Sequence, residues 1–289
     1  MDNKLKIAVI GGDLRQVSLA GLFVADGHDV TVCGLDAGDL PERAVGIDAA
    51  AECGIIILPI VPVVDGIFIN TPRAAEKIYI QELLGAIPCG RLVIAGGFSD
   101  AFREQAAANG LGLASYLDRE DFAAGNAVLT AEGAIQVAME VTDHAIFDSN
   151  CMIAGFGRIG KLLAFRLNAL GAHVTVSARC TGDLAWIRVF GYTPVETGKW
   201  GKALEKADIV FNTIPCRVFA QSDAAGFKRG MVYIELASAP GGMNLDMAER
   251  MGIRAVCAPS LPGKVAPLSA ALLLHDTITQ IIKEKEGYT

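Results

Sequence analysis

The residues best placed to do chemistry form a glycine pattern, Gly155-Phe156-Gly157-Arg158-Ile159-Gly160. It follows the apolar run Cys151–Ala154 and opens a helical stretch reaching about Leu170. This spacing suits a pyrophosphate. The first glycine permits a tight turn and the second lets backbone N–H groups approach the ligand. The third allows close helix–strand packing, and the helix N-terminus favours negative charge. All six residues are candidate dinucleotide contacts. The next strand candidate, His173–Ser177, runs into Ala178-Arg179. An NAD-type pocket expects Asp or Glu about 20 residues after the glycines, on the ribose hydroxyls. Here that acid is missing. Arg179 can pair with a 2′-phosphate, and Ser177 and Thr181 could add hydroxyl donors, so NADP is expected rather than NAD. Asn212-Thr213-Ile214-Pro215 and Glu235-Leu236-Ala237-Ser238 end two later strands, where open parallel sheets bind ligands. Thr213, Ile214 and Pro215 are assigned to the dinucleotide and Ser238 to the substrate.

A second glycine turn, Gly11-Gly12-Asp13-Leu14-Arg15-Gln16, lacks the GxGxxG spacing, and its Asp13 would repel a phosphate. Arg15 at a helix N-terminus suits a carboxylate instead. Gly12, Asp13 and Gln16 become candidate substrate contacts, with Asn126 and Thr130 just before and on a connecting helix. Arg15 is the first choice for a carboxylate clamp. Lys264, in the Pro/Gly-rich stretch Pro259–Pro267, expected as a rigid loop, is the second. Glu132 is a candidate base if burial raises its pKa; otherwise it suits the positive end of the connecting helix. The four histidines offer no acid/base of the kind 2-hydroxyacid dehydrogenases use after their late strands. His28 and His173 stand at strand starts, His144 ends the connecting helix, and His275 lies inside the last helix.

Positioning these groups takes alternating strands and helices. Leu5–Ile10, His28–Cys33, Ile55–Ile60, Leu92–Ala95 and Leu111–Tyr116 read as continuous apolar strands. Helical patterns lie between them at Leu14–Ala25, Arg73–Leu84 and Asp100–Ala108. The plan then restarts with Cys151–Ala154, His173–Ser177, Asp208–Asn212, Met231–Leu236 and Ile253–Cys257. Strands apolar on both faces imply parallel sheets covered by helices. The expected fold class is α/β, with two doubly wound parallel-sheet domains, the C-terminal one a Rossmann dinucleotide-binding domain. The first domain spans residues 1–129, a connecting segment 130–148 carries a helix over Thr130–Thr142, and the Rossmann domain spans 149–267. A last helix, within 268–289, is expected to cross back to the first domain.

Composition removes several classes. The 289 residues carry 25 Lys+Arg against 32 Asp+Glu, a net charge of −7, which argues against a nucleic-acid binder. Hydrophobic residues are 52% and charged ones 20%, enough for a sizeable core. The longest suspicious run, Cys53–Val64, is broken by Pro59 and Pro62 and falls short of the roughly 20 apolar residues a bilayer span needs. Nothing at the N-terminus has a signal-peptide layout. The 7 cysteines are odd in number, widely spaced and lack C-x-x-C. That argues against disulfides or a zinc site, fits a reducing cytoplasm, and reads every cysteine as a small buried hydrophobe. No metal is expected, and the apolar content leaves room for a homo-oligomer.

The chain resembles the A subunit of dipicolinate synthase over almost its whole length. The stretches that carry the resemblance are Ile7–Gln16 (IAVIGGDLRQ), Ile57–Pro59, Thr130–Gly133 (TAEG), Gly155–Gly160 and Asn212–Pro215 (NTIP). Ala237-Ser238 with Pro240–Gly242, and Leu261–Pro267 (LPGKVAP), complete the set. The resemblance implies an NAD(P)-dependent oxidoreductase acting on a CH–CH or ring CH–N group. Its reaction would be oxidation of a dihydrodipicolinate-type ring to dipicolinate, the calcium-chelating acid of bacterial endospores. It implies a small dicarboxylate ring substrate, a flavoprotein-like second subunit, and the mother-cell cytoplasm of a sporulating bacterium. The sequence departs from the family pattern at Leu129, in place of a proline, at Ala239, in place of a basic residue, and at Leu268-Ser269, in place of a Lys-Thr pair, so that two basic residues are lost. Two other readings fit the same motifs: a non-catalytic NADP-binding regulatory subunit, and a 2-hydroxyacid dehydrogenase-like oxidoreductase.

Overall fold

The structure, a computed structural model, describes residues 4–35, 46–250 and 252–285. The chain divides into two units, one built from Met1–Asn126 with Ala266–Thr289, the other from Ala127–Val265.

In the first unit the strands are β1 (Lys6–Ile10), β2 (Asp29–Cys33), β3 (Ile55–Ile57), a short antiparallel hairpin of β4 (Val63–Val64) and β5 (Phe68–Ile69), then β6 (Leu92–Ala95) and β7 (Gly112–Ser115). The helices are α1 (Leu14–Ala25), α2 (Ile47–Ala50), α3 (Ile80–Ala86), α4 (Asp100–Ala108) and the first part of α5 (Glu120–Val141). Five strands pair in parallel in the order β2-β1-β3-β6-β7. Ile7, Ala8, Val9 and Ile10 are all buried, because each face of β1 meets its own core. Ile7 and Val9 pack with Leu19 and Phe23 of α1, while Ala8 and Ile10 pack with α3 and α4 side chains such as Leu83 and Phe102. The winding reverses between β1 and β3, and such a switch point opens a crevice at the carboxyl ends of the strands. The hairpin lies outside the sheet and was not legible in the sequence.

In the second unit β8 (Asn150–Ala154), β9 (His173–Ala178), β10 (Thr193–Glu196), β11 (Ile209–Asn212), β12 (Val232–Glu235) and β13 (Arg254–Cys257) form a parallel sheet. Its order is β10-β9-β8-β11-β12-β13. This is the doubly wound Rossmann order. Its helices are α6 (Arg158–Ala169), α7 (Thr181–Val189), α8 (Lys202–Lys206), α9 (Leu245–Arg250) and α10 (Leu261–Val265). Strand β10 does not stand out in the sequence because it is an edge strand holding Pro194, with both end residues exposed.

Helix α11 (Pro267–Glu284) belongs to the first unit. Leu274, Ile278, Ile281 and Ile282 enter the same core as Leu19 and Phe23 of α1. Residues 286–289 of the expected last helix lie outside the described residues.

Three sequence expectations change. The connecting helix starts at Glu120 rather than Thr130. Its two glycines are close-packing positions, since a Cβ on Gly125 would lie 2.7 Å from Leu273 and one on Gly133 2.9 Å from Leu261. Pro259–Pro267 is no rigid loop: Leu261–Val265 forms α10, and Pro267 opens α11, where a missing N–H costs nothing. The cysteines are not uniformly buried. Cys33, Cys53 and Cys151 are, whereas Cys89, Cys180, Cys216 and Cys257 are exposed. Among the described residues no helix is long and apolar enough to cross a membrane.

Candidate dinucleotide and carboxylate sites

In the second unit the chain leaves β8 at Ala154 and turns through the three glycines into α6. Gly155 has φ +103°, and its N–H donates to Ser177 Oγ at 3.1 Å. A Cβ there would lie 2.5 Å from Thr213 Oγ1. Gly160 lets α6 approach the turn, because a Cβ would sit 2.2 Å from the Gly155 carbonyl oxygen. Gly157 is different: it is the N-cap of α6, no side chain caps it, and a Cβ there would meet nothing within 4 Å. The helix therefore begins with open N–H donors beside open space, and its first turn carries no acidic side chain. This cradle fits the diphosphate of a dinucleotide. Phe156 is buried beneath it, Ile159 is half-buried, and Arg158 is exposed on the first turn. Arg179 is exposed just past β9, and Thr181 is exposed as the first residue of α7.

Ser177 does not act as expected. It is fully buried, and its Oγ accepts from the Gly155 N–H and from Thr197 Oγ1 at 3.2 Å. It braces the glycine turn from beneath and does not reach a ligand surface.

The end of β11 is held by a network the sequence did not announce. Glu235, 4% exposed, accepts from Asn212 Nδ2 (2.7 Å), Tyr233 Oη (2.7 Å), and the backbone N–H groups of Ala237 (3.0 Å) and Gly242 (2.7 Å). A buried carboxylate needs such donors to be tolerated. Asn212 in turn grips Ile214, donating to its carbonyl at 2.9 Å and accepting from its N–H at 3.1 Å. Thr213 Oγ1 donates to the Ala154 carbonyl at 2.8 Å. Thr213, Ile214 and exposed Pro215 are thus fixed beside the glycine turn. Burial and the Glu235 charge push the Tyr233 phenol well above its ordinary range. The usable signal was a polar residue ending each otherwise apolar run, Asn in IVFN and Glu in VYIE.

In the first unit the turn after β1 is closed on itself. Asp13 is the N-cap of α1. Its carboxylate accepts from the Arg15 N–H (3.0 Å), while Gln16 Oε1 accepts from the Asp13 N–H (3.0 Å), a reciprocal capping box. The Arg15 guanidinium, 7% exposed as a residue, donates from Nε (2.8 Å) and Nη2 (2.7 Å) to the two Asp13 oxygens. Burial alone would raise the Asp13 carboxyl. The Arg15 hydrogen bonds and charge, with Arg73 adding, hold it below the ordinary carboxylate range.

This arrangement revises three assignments. Asp13 is a cap and counter-ion. Gly12 donates its N–H to the Asn70 carbonyl at 2.8 Å, so that donor is not open to a substrate. Gln16, 1% exposed, is a capping residue whose Nε2 is buried.

The remaining candidates sit on separate elements. Asn126 and Thr130 lie one turn apart on α5, Thr130 buried and Asn126 half-buried. Glu132 is not the buried carboxylate a raised pKa would need. Its side chain is 54% exposed and 3.3 Å from Arg166 Nη2, far from the start of its helix. Lys264 is exposed on α10, and Ser238 is exposed beyond β12.

Residues 6–117 match the family model of the N-terminal domain of the dipicolinate synthase A subunit. The A subunit of dipicolinate synthase from Bacillus subtilis (strain 168) is 34% identical over 292 residues, covering 97% of this chain and 96% of that one. The crystal structure of the Bacillus subtilis protein superposes with a TM-score of 0.86 at 32% identity, over 98% of this chain and 97% of that one. The structure of the Bacillus halodurans A subunit gives 0.85 at 29% identity, over 97% and 99%. A transhydrogenase from Sinorhizobium meliloti, TM-score 0.70 at 16% identity over 97% and 95%, shares the fold.

Proposed function

The chain belongs to the family of dipicolinate synthase A subunits, and from that premise we propose that it oxidises a dihydrodipicolinate-type ring to dipicolinate, passing a hydride to NADP. The observation that supports this most is the uncapped Gly155–Gly160 turn at the carboxyl edge of a Rossmann sheet, where Gly157 leaves room for a phosphate. NADP, when bound, supplies the hydride acceptor. The chain's own residues bind and orient. Backbone N–H groups of the turn hold the diphosphate, and Thr213 and Ile214, fixed through Asn212 and Glu235, line it. Exposed Arg179 pairs with the 2′-phosphate, which favours NADP over NAD.

Arg15 is the proposed carboxylate clamp. Asp13 takes its Nε–H and one Nη2–H, so it acts through Nη1 and the second Nη2–H. Lys264 is the proposed second cation. Loss of a hydride and a proton makes the ring aromatic, which supplies driving force and leaves orientation as the main task. With Glu132 exposed and paired to Arg166, the ring proton passes to water. We place the protein in the mother-cell cytoplasm. Its relatives are one component of a two-component synthase, which supports a flavoprotein-like partner here.

The test follows the reduced-nicotinamide absorbance with purified protein, NADP or NAD, and freshly generated dihydrodipicolinate, with and without the partner component. Substrate-dependent reduction with dipicolinate accumulating is expected. No reduction from a folded protein with an active partner, while NADP still binds tightly, would replace this reading with a non-catalytic NADP-binding component.

A further inference from the structure

Helices α6 and α7 cover one face of the second sheet side by side, and Leu163, Leu167 and Ile187 turn inward to the same core. The outward side is not polar, as a solvated helix face would be. Phe165 is 64% exposed, Trp186 57%, Val189 72% and Phe190 54%. Both helices start at the same edge of the sheet. Phe165, about 10 Å along α6, therefore stands level with Trp186 and Phe190, about 8 and 14 Å along α7. Trp186 stacks on Phe190 with ring centres 5.7 Å apart, and Phe190 rests on buried Phe156 and Tyr192 at 6.4 and 6.2 Å. These rings are held in place before anything covers them, which lowers the ordering cost of binding. The four exposed side chains show roughly 400–500 Å² of apolar surface. That is about the apolar share of a standard interface, which buries roughly 800 Å² on each partner.

The charges around the patch decide what kind of surface fits it. The two helices carry Arg158, Lys161, Arg166 and Arg188 against the single acid Asp183, in a chain whose net charge is −7. Arg166 is answered by Glu132, and Asp183 accepts from the Cys180 thiol. Lys161 and Arg188 make no ion pair among the described residues, and Lys161 lies over the Phe156 ring at 5.1 Å. A second copy docking by this face would set cation against cation, since an isologous contact pairs a patch with itself. A different protein, apolar at the centre of its contact and acidic at the rim, meets both demands.

We propose that the α6–α7 face docks the second component of the synthase, through an apolar surface of that component rimmed by carboxylates. Trp186 and Phe190 are the anchors, and Lys161 and Arg188 set the orientation and the encounter rate. The inference rests on the reading above only for the identity of the partner.

The test titrates the full chain with the purified second component by calorimetry. A second readout is the emission of Trp186, one of 2 tryptophans, the other being the already buried Trp200. A complex should form, Trp186 emission should move to shorter wavelength, and affinity should fall as salt is raised. Trp186→Ser with Val189→Ser should weaken the complex about a hundredfold, and Arg188→Glu about tenfold. Each should keep the parent's melting temperature and NADP affinity, because the substituted side chains are exposed. A complex unchanged in both variants would place the partner elsewhere and overturn the proposal. So would a chain that self-associates through the same residues, which would make the occupant a second copy. Flotation of the chain with phosphatidylglycerol vesicles, lost in the same variants, would make this a membrane face and overturn it too. Absence of any complex with a folded second component would do the same, whatever the hydride-transfer assay shows. Failure of hydride transfer with the complex intact would count against the catalytic reading alone.

Discussion

At the end of β8, helix α6 begins on Gly157 with no side chain to cap it; at the end of β1, helix α1 begins on Asp13, which caps it and holds Arg15 as well. Both turns follow the first strand of a parallel sheet, and both use positive-φ glycine, Gly155 in one and Gly11-Gly12 in the other. In the first, the helix forgoes a side-chain cap, worth about 0.2–0.4 kcal/mol over glycine, and keeps its N–H groups open. In the second, the N–H groups of Gly11, Gly12 and Asp13 go to Cys33, Asn70 and Gln16. A strand–glycine–helix turn is thus not an anion site by shape alone. Whether the N-cap brings its own carboxylate decides what the turn can accept.

The largest expected effect comes from breaking the closed turn. Asp13→Ala removes a cap and leaves the Arg15 side chain, 9% exposed, without its counter-ion. Unfolding in denaturant should show a loss of about 3–5 kcal/mol. Asp13→Ala combined with Arg15→Met should recover much of it, and a double variant as unstable as the single one would show that the pair is not the cause.

Next, Gly157→Asp gives the open turn the cap of the closed one. The Cβ fits, so stability should hold or rise by only about 0.2–0.4 kcal/mol, while NADP affinity falls about a hundredfold or more. Unchanged NADP binding by fluorescence titration would remove α6 from the cofactor site. Arg179→Asp should weaken NADP by at least about tenfold and NAD by about twofold or less; equal weakening would end the preference for NADP.

The smallest effect is with acid. The folded state holds the Asp13 carboxyl below its ordinary value, so the unfolded chain binds the proton more readily. The stability this provides is complete above the ordinary range, near pH 4, and is lost as pH falls through the folded value. Asp13→Asn, which keeps a capping side chain, should flatten the acid limb of a thermal-unfolding series. An unchanged limb would assign acid sensitivity elsewhere.

Both sheets were legible because their central strands are buried on both faces and read as unbroken apolar runs, as in IAVI and CMIA. The dinucleotide turn was legible because each glycine answers a separate steric demand. What escaped depends on contacts distant in sequence. Ser177 looked like a ligand donor until the Gly155 N–H was found on its Oγ. Glu132 looked like a cap until α5 was found to start at Glu120. Glu235 looked like a strand end, although four donors converge on it from β11, β12 and the following loop. Edge strand β10 and the β4–β5 hairpin lack the burial that writes a pattern into sequence.

Because α11 supplies Leu274, Ile278, Ile281 and Ile282 to the core around α1, the first unit is closed by a segment synthesised after the whole of the second. On the ribosome, the Rossmann sheet is translated in full while the α1 face that α11 will cover is still bare. The second unit can fold in the order it is made, and the first must wait for the chain to return. A stalled or shortened transcript would therefore leave an intact nucleotide-type domain attached to an open, apolar helix face, the kind of species chaperones bind.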